Sequence, residues 1–415
     1  MHQHHLRSVS LLSIMVAFVL LLVFYRATQE AWRTIPQITD MEKAAEAELH
    51  HSNERVGEDI KFYNPESSFK PGTPEPPGYN YTRALIVPCL VEDDIDWIDR
   101  ELPDIQAFIY VADNASAPLH PPKNKGHEGM TYLTYIIDHY NSLPDINVFM
   151  HAHRWAWHNA DLLNNDAAQM VRRLSSARVI REGYMNMRCQ WDPGCPDHIY
   201  PLQRTDDWTK KEQQEIGRRW AELFPLDPIP AVLGAPCCAQ FALSRERIRA
   251  VPLRRYVFYR DWLLRTPLTD YFSGRVFEYV WQYIFTGNAV ACPAQNACYC
   301  DGFGVCFGGE AEYATWFELR NTLDTHQHAL REWHRKERDV ERAKQDGRLD
   351  EAALLEIPEL GMDDWLLQQI EALRRELQTR KAAAIERGKD PEARKLDLGG
   401  EGVKMKDCGD CETHD

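Results

Sequence analysis

A cluster of histidines follows a short apolar run in the stretch NVFMHAHRWAWHN. Its members are His151, His153 and His158. Three imidazoles suit Zn²⁺, iron or copper better than Mg²⁺, which prefers oxygen ligands. Three interpretations are therefore open: a metal site built on all three histidines, direct contact of one or two of them with phosphate or an acceptor, and structural packing on the neighbouring Trp155 and Trp157.

The spacing of these histidines sets what each interpretation requires. If the apolar run is a strand that continues to residue 153, His151 and His153 share one face, because residues two apart on a strand point the same way. His158 reaches that face only if the chain turns back at RWAW. A metal triad needs all three nitrogens at one ion, whereas phosphate contact needs only one or two of them. We therefore predict a site histidine without a protein-held transition metal, with His153 most exposed to substrate.

A second candidate is the stretch KNKGHEGMTYLTYI, where Gly126, Glu128 and Gly129 precede a helical pattern. Backbone N–H groups at such a helix start, together with Lys123 and Lys125, are suited to hold an anion. The alternative is an ordinary glycine-containing turn with a helix cap.

A third candidate is Glu278 in GRVFEYVWQYIF, a helical pattern that surrounds the carboxylate with aromatic and aliphatic side chains. A carboxylate beside so much apolar surface needs a partner or has a raised pKa, and a general base uses a raised pKa. A structural salt bridge to a nearby arginine is the alternative.

Short apolar runs indicate the elements that position these residues. ALIVPCLV, QAFIYVAD and INVFMHAH are typical of buried strands, with a helical pattern between the second and the third. A further strand runs from Ala239 to Leu243 and ends at Ser244 and Arg245. This order predicts an α/β fold with a mainly parallel central sheet and active residues at the carboxyl ends of its strands. Glu92 and Asp93 after the first strand, and Arg245 after the last, are candidates there.

The cysteines predict an oxidising compartment. The chain has eleven of them, and eight lie between Cys189 and Cys306. We expect most of these eight to form disulfides, with Cys189 and Cys195 closing a small loop and Cys89 left unpaired. Zinc binding by the four cysteines of ACPAQNACYCDGFGVC is the alternative. The tail motif CGDC has redox or metal spacing, but no second pair supports it.

The N-terminal region predicts a membrane anchor. Residues 9–25 carry no charge and span roughly 25 Å as a helix, slightly less than a hydrocarbon core of about 30 Å. We expect a type II signal anchor with a lumenal body; a cleaved signal peptide and a secreted protein are the alternative. The expected organisation is a cytosolic tail and anchor (1–26), a polar, proline-rich stem (27–82), a lumenal α/β domain (83–310), a charged helical extension (311–391) and a disordered tail (392–415).

Charge and glycosylation signals agree with a lumenal body. A net charge of −15 argues against nucleic acid as a partner, because phosphate backbones need clustered lysine and arginine. The triplets that begin at Asn80 and Asn114 are acceptor sites for N-linked glycans. The charged C-terminal helices, with Gly347 and Gly388 as stops, are expected to pack on the body or on a second copy of the chain.

These stretches resemble a family of fungal proteins known as domain of unknown function 3431. The resemblance runs from ALIVPCLVEDDIDWI through GHEGMTYLTYIIDHYNSLPDINVFMHAHRWAWHN and CCAQFALSRERI to FEYVWQYIF, roughly residues 83–310. The family looks distantly similar to GT-A glycosyltransferases, in which a strand ends in Asp-x-Asp and holds a divalent cation. This chain has His151-Ala152-His153 at that place, which leaves metal dependence open.

The resemblance implies a Golgi or ER enzyme that transfers a sugar from a nucleotide donor to a glycan, protein or lipid acceptor. It implies that Glu278 deprotonates the acceptor and that Glu128 lies in the substrate site. The diphosphate would be stabilised by His153, His158, Arg245 and Lys125, and the donor nucleoside would contact Glu92 and Asp93. Two other functions remain open: a metal-dependent hydrolase or oxidase built on the histidine cluster, and a glycan-binding or scaffold protein without catalysis.

Overall fold

The computed structural model describes residues 70–203 and 210–397. The predicted anchor, most of the predicted stem and the CGDC tail lie outside these residues. In the described ranges, no helix is both long and apolar enough to cross a membrane.

A five-stranded sheet forms the centre of the described residues. Its strands are β1 (Arg83–Cys89), β2 (Gln106–Val111), β3 (Ile146–Phe149), β4 (Tyr184–Asn186) and β5 (Phe241–Ser244), in the order β2-β1-β3-β5-β4. Strand β1 pairs in parallel with both β2 and β3. Strand β5 is antiparallel to both β3 and β4, so four strands point one way and β5 points the other. The predicted α/β fold with a mainly parallel centre is confirmed; the reversal of β5 was not predicted.

Helices cover both faces of this sheet. They are α1 (Asp96–Glu101), α2 (Glu128–His139), α3 (Ala167–Arg173), α4 (Ser176–Glu182), α5 (Lys211–Leu223), α6 (Arg245–Ala250), α7 (Leu253–Arg265), α8 (Asp270–Glu278), α9 (Trp281–Thr286), α10 (Gln295–Phe303), α11 (Glu310–Gln345), α12 (Leu349–Leu354), α13 (Met362–Arg387) and α14 (Pro391–Asp397). Successive residues of β1 alternate between two hydrophobic clusters, with Leu85 and Val87 in one and Ala84 and Ile86 in the other. This alternation is what strand geometry requires when both faces of a sheet are buried.

The C-terminal helices pack on the body. Trp316 of α11 and Leu377 of α13 are buried in the same cluster as Leu85 and Val87 of the sheet. The indole N–H of Trp316 also donates to the carbonyl of Leu377, 3.0 Å away. Helices α11 and α13 end at Gln345 and Arg387, next to the glycines predicted as stops.

All eight cysteines between Cys189 and Cys306 form disulfides, as predicted. The bonds are Cys189–Cys298, Cys195–Cys292, Cys237–Cys238 and Cys300–Cys306. The predicted Cys189–Cys195 loop is wrong, because residues 189–195 lie against the segment before α10, where the Trp191 indole donates to the Pro293 carbonyl. The zinc alternative also fails, since its four cysteines are all oxidised. Among the described cysteines only Cys89 is free, and it is buried.

Candidate functional site

The candidate site lies where the chain leaves β3. Strand β3 ends at Phe149, opposite Phe241 of β5, so the condition under which His151 and His153 would share a strand face is not met. The backbone N–H of His151 donates to the side-chain oxygen of Gln240 at 3.1 Å instead of continuing the ladder. Beyond Phe149 the exposure of each histidine is therefore set by the loop and not by strand alternation.

The three histidines separate into a pair and a single residue. Nδ1 of His151 lies 3.1 Å from Nε2 of His158. His153 is exposed, and its Nε2 lies 3.6 Å from a carboxylate oxygen of Asp93. Within the described residues, the three imidazoles do not come close enough together to share one ion. The three-histidine metal centre suggested by the sequence is therefore not assembled in this geometry.

Burial keeps the histidine pair neutral. It lowers the pKa of His151 to about 3, with smaller contributions from His158, His153 and His127. Burial, together with the charge of Arg188, lowers the pKa of His158 to about 4. Nε2 of His151 is buried and has no hydrogen-bond partner among the described residues. A buried nitrogen left without any hydrogen bond costs roughly 1–3 kcal/mol.

Two glutamates from different helices form the second part of the site. Glu278, the last residue of α8, accepts hydrogen bonds from Nη1 of Arg275 at 2.5 Å and from the backbone N–H of Cys238 at 3.2 Å. The salt bridge that the sequence left open as an alternative is therefore present. Burial and the charge of Glu278 raise the pKa of Glu128 to about 8, so Glu128 holds a proton at neutral pH.

The glutamates and the histidine pair belong to one region. His127 precedes Glu128 and is close enough to His151 for its charge to lower the pKa of that imidazole. A methyl group at Gly274 would lie 2.2 Å from the His127 ring, so only glycine leaves room for the ring there. The structure thus places Glu128 and Glu278 in the same region as the histidine pair. His127 and Gly274 had no signal in the sequence.

The predicted anion-binding turn is occupied by a carboxylate of the chain itself. The backbone N–H groups of Gly126 and His127 lie 2.6 and 3.3 Å from the same oxygen of Asp270. The ammonium of Lys125 donates to the carbonyl of Thr266. The predicted contact of Lys125 with a diphosphate is therefore corrected, because α8 supplies the anion from more than 140 residues away in the sequence.

Arg245 lies at the other edge of the sheet from the histidines. It pairs with Asp145, just before β3, and donates to the Leu143 carbonyl at 2.9 Å. The predicted contact of Arg245 with substrate is wrong because β5 is antiparallel, which puts its carboxyl end at the amino end of β3. The same reversal brings Gln240 to the site, where its amide donates to Asn159 at 3.0 Å.

The end of β1 lies at the same edge as the histidines, as predicted. Asp93 accepts a hydrogen bond from the N–H of Leu90 at 2.7 Å, and Glu92 is exposed. Burial, with the charges of Asp93 and Asp113, raises the pKa of Cys89 to about 11. The Cys89 thiol is therefore protonated and poorly suited to act as a nucleophile.

A bond between adjacent cysteines stands beside Glu278. Cys237 and Cys238 are joined, and Cys238 and Ala239 have φ values of 84° and 49°, in the left-handed region that such residues rarely adopt. The backbone N–H of Cys238 that donates a hydrogen bond to Glu278 belongs to this segment. The sequence signal for this bond was the CC dipeptide at residues 237 and 238.

The two tryptophans of the histidine stretch are not core residues. Trp155 and Trp157 are 59% and 67% exposed. Only Trp157 has a ring contact with a histidine, 5.7 Å from His158. Structural packing of the histidines on these tryptophans is therefore seen for His158 on Trp157, while neither tryptophan belongs to the core.

Comparison with known proteins gives a family and no activity. A family model described as "Protein of unknown function (DUF3431)" matches residues 85–301. No curated protein and no solved structure matches the chain. The matched residues contain both glutamates, the histidine cluster and the sheet except for the first two residues of β1.

Proposed function

The chain belongs to the DUF3431 family, whose match covers more than half of its length, and we propose that it transfers a sugar from a nucleotide-sugar donor to a hydroxyl group of a glycan, protein or lipid. The observation that carries this proposal is the convergence of Glu128 and Glu278 beside the neutral pair His151–His158. Enzymes that use acid–base catalysis commonly contain titratable groups whose surroundings shift their pKa values apart, so that one is protonated and another is not.

The position of these groups supports the proposal. In open, mainly parallel sheets, ligands bind outside the carboxyl ends of the strands. The site lies at this end of β1 and β3, and a reversed strand stands next to β3. The distant similarity to GT-A glycosyltransferases implies a donor site at this same edge.

Glu278 is the proposed general base. In the transfer, the bond between the anomeric carbon and the diphosphate oxygen breaks, and a bond to the acceptor oxygen forms. The acceptor proton passes to Glu278, whose carboxylate accepts two hydrogen bonds and has lone pairs left. Protonated Glu128 donates a hydrogen bond to substrate without adding negative charge near the diphosphate.

The donor is proposed to approach from the end of β1. Glu92 and Asp93 would contact the nucleoside, and exposed His153, beside Asp93, would meet the diphosphate together with His158. Arg245 and Lys125 are not assigned to the diphosphate in this proposal. Arg245 pairs with Asp145, and Lys125 donates to the carbonyl of Thr266. Whether the reaction needs a divalent cation is tested by assays with and without one.

Four disulfides and two exposed sequon asparagines support a lumenal location. Disulfides persist in the secretory pathway and are rare in the cytosol. Asn80 and Asn114 are both exposed, as glycan acceptors must be. We propose a type II protein of the Golgi or ER, anchored by residues 9–25, with a secreted form as the alternative. Glycosidase sensitivity and N-terminal sequencing of the mature protein decide between them.

The test uses purified full-length protein and a panel of nucleotide sugars, with and without Mn²⁺. A donor at 100 times its Kd should stabilise the fold by about 2.7 kcal/mol, measured by thermal shift. The stabilising donor should be hydrolysed or transferred, and Glu278→Gln should slow this by about 100-fold or more. Glu246→Gln, an exposed carboxylate on α6, is the matched control and should keep wild-type turnover. Equal rates for wild type and Glu278→Gln, or no shift with any donor, would contradict the proposal.

A variant of His153 tests the histidine role. His153→Ala should abolish turnover and leave the melting temperature and metal content unchanged, because the ring is exposed and its neighbour is Asp93. Stoichiometric zinc, iron or copper that disappears in this variant would instead favour the hydrolase or oxidase. The separation of the imidazoles does not favour that alternative.

A second candidate function is glycan binding without catalysis. The ion pair between Glu278 and Arg275 favours it, since a carboxylate held in this way also serves a purely structural purpose. Donor hydrolysis above background would exclude it.

A further inference from the structure

Two tryptophans beside the candidate site stand at the surface, while others are buried. Trp97, Trp220 and Trp281 are at most 2% exposed, whereas Trp155 and Trp157 expose more than half of their surface. Apolar rings of this size are usually covered by protein in a folded domain. Two of them within three residues require an explanation.

Buried or tethered arginines hold both rings. The guanidinium of Arg154 lies 4.7 Å from the Trp155 ring, and that of Arg188 lies 5.3 Å from the Trp157 ring. Arg154 is fixed by Asp166 at 3.1 Å and Glu101 at 2.8 Å. Arg188 is buried and donates to the carbonyl of Trp157 at 3.2 Å. Each indole is therefore ordered before a ligand arrives, which lowers the entropy cost of binding.

The ring of Trp157 adjoins the histidine pair. It contacts His158, which is hydrogen-bonded to His151. The loop is also fixed to α1, because the Trp97 indole donates to the Ala152 carbonyl at 2.8 Å.

The charges around the loop favour a neutral ligand rich in hydroxyl groups. The segment beside Ala152 and His153 exposes the carboxylates of Glu92, Asp94 and Asp96. Carboxylates accept hydrogen bonds from hydroxyls and repel phosphates, and the two arginines are tied to the chain. An anionic membrane surface, which needs free lysine and arginine, does not fit.

We propose that Trp155 and Trp157 form a stacking subsite for the pyranose rings of a neutral acceptor glycan. The apolar C–H face of a pyranose lies flat on the negative face of an indole, and the neighbouring carboxylates bind its hydroxyls. The acceptor role rests on the proposed sugar transfer, but the glycan binding itself does not. Among acceptor classes, the subsite selects a glycan over a lipid or an unmodified peptide.

The experiment measures binding of full-length protein, without donor, to three neutral probes: mannose, β-1,3-glucan and chitin oligosaccharides. At least one should bind and change the tryptophan fluorescence. The double variant Trp155→Ala/Trp157→Ala should bind this probe at least about tenfold more weakly, as aromatic anchors of an interface do. Trp365→Ala is the matched control, because this tryptophan is 48% exposed on α13, away from the loop, and affinity should stay within about twofold.

Three results would overturn the inference: no binding of any probe by wild type, equal affinity of the double variant, or loss of affinity in the Trp365 control. Vesicles of phosphatidylcholine with phosphatidylserine are a parallel probe. Binding to them that the double variant loses, without glycan binding, would assign the tryptophans to a membrane surface instead. Glycan binding without donor hydrolysis would keep this subsite and remove the transferase proposal.

Discussion

Titratable side chains lie at both edges of the central sheet, beyond the amino end and the carboxyl end of β3. Their ionisation and their pairing differ between the two edges. At the amino end of β3, Asp145 accepts hydrogen bonds from Thr82 and pairs with Arg245. Burial works against ionisation there, but these partners lower the pKa of Asp145. At the carboxyl end of β3, Glu128 keeps its proton and burial keeps His151 neutral. The first edge uses its charges to hold loops together, while the second holds these two titratable groups in their uncharged forms.

The edges also differ in covalent support. Two disulfides with sequence separations of 109 and 97 residues hold the chain that follows β4, which ends at the site edge. The opposite edge has ion pairs and hydrogen bonds in their place. Buried polar groups without a hydrogen-bond partner destabilise a fold, and these two disulfides add stability at the edge that carries Glu128 and His151.

Removal of both long-range disulfides should cost most. The variant Cys189→Ala/Cys195→Ala/Cys292→Ala/Cys298→Ala should lose at least about 4–5 kcal/mol of unfolding free energy, because the two nested bonds together close a loop of about 100 residues. Cys300→Ala/Cys306→Ala, which opens a six-residue separation, should lose only about 2 kcal/mol. Guanidinium unfolding of both variants measures the difference, and equal losses would contradict the role of loop length.

Glu128 should make stability depend on alkaline pH. The folded carboxyl keeps its proton to about pH 8, whereas the unfolded one loses it near pH 4.5, so the folded state binds more protons between these values. Unfolding free energy should therefore fall as pH rises through this window. Glu128→Gln should remove this fall and be more stable than wild type at pH 9 by on the order of 3 kcal/mol.

Glu92→Gln, an exposed change at the same edge, is the control for loss of a carboxylate. Urea unfolding of both variants at pH 5, 7 and 9 gives the comparison. If Glu128→Gln follows the wild-type pH dependence, Glu128 does not hold a proton in the folded state.

His151 should have the reverse effect on the acid side. Its folded pKa of about 3 lies below the unfolded value of 6.5, so the unfolded state binds more protons between the two. Stability is complete above pH 6.5 and is lost as the pH falls. Between pH 7.5 and pH 5 this histidine should cost wild type about 2 kcal/mol, a loss that His151→Gln should lack.

An NMR titration of ¹³C-labelled histidines checks the same point directly. The ring signals of His151 and His158 should stay at their neutral positions down to pH 5. Movement of either signal between pH 7 and pH 5 would show that burial does not keep the pair neutral.

The opposite edge should give the smallest effect. Arg245→Met removes a partly exposed ion pair and should cost about 1 kcal/mol. It should leave nucleotide-sugar thermal shifts and glycan affinity at wild-type values, because Arg245 lies beyond the amino end of β3. A loss of donor binding in this variant would erase the contrast between the edges.

Several features followed from the sequence alone. The apolar runs predicted β1, β2, β3 and the region of β5, because a buried strand must be apolar over its whole length. Glycines predicted the ends of α11 and α13, and cysteine density predicted oxidation of the chain between Cys189 and Cys306. Each of these depends on neighbouring residues, so a local pattern was enough. Glu278 and His151 were chosen as candidates in the same way, from their residue type and immediate surroundings.

Other features were decided only by the tertiary structure. An antiparallel strand has the same local pattern as a parallel one, so the sequence could not show that β5 takes Arg245 away from the site and brings Gln240 to it. Cysteine spacing likewise gave no pairing, because Cys195 meets Cys292 only after the sheet and helices have packed. Asp270 reached the turn at Gly126 for the same reason. The direction of a strand, the pairing of cysteines and the hydrogen-bond partners of polar groups all depend on contacts between distant segments. These segments are about 100 residues apart, and no local pattern encodes which of them will meet.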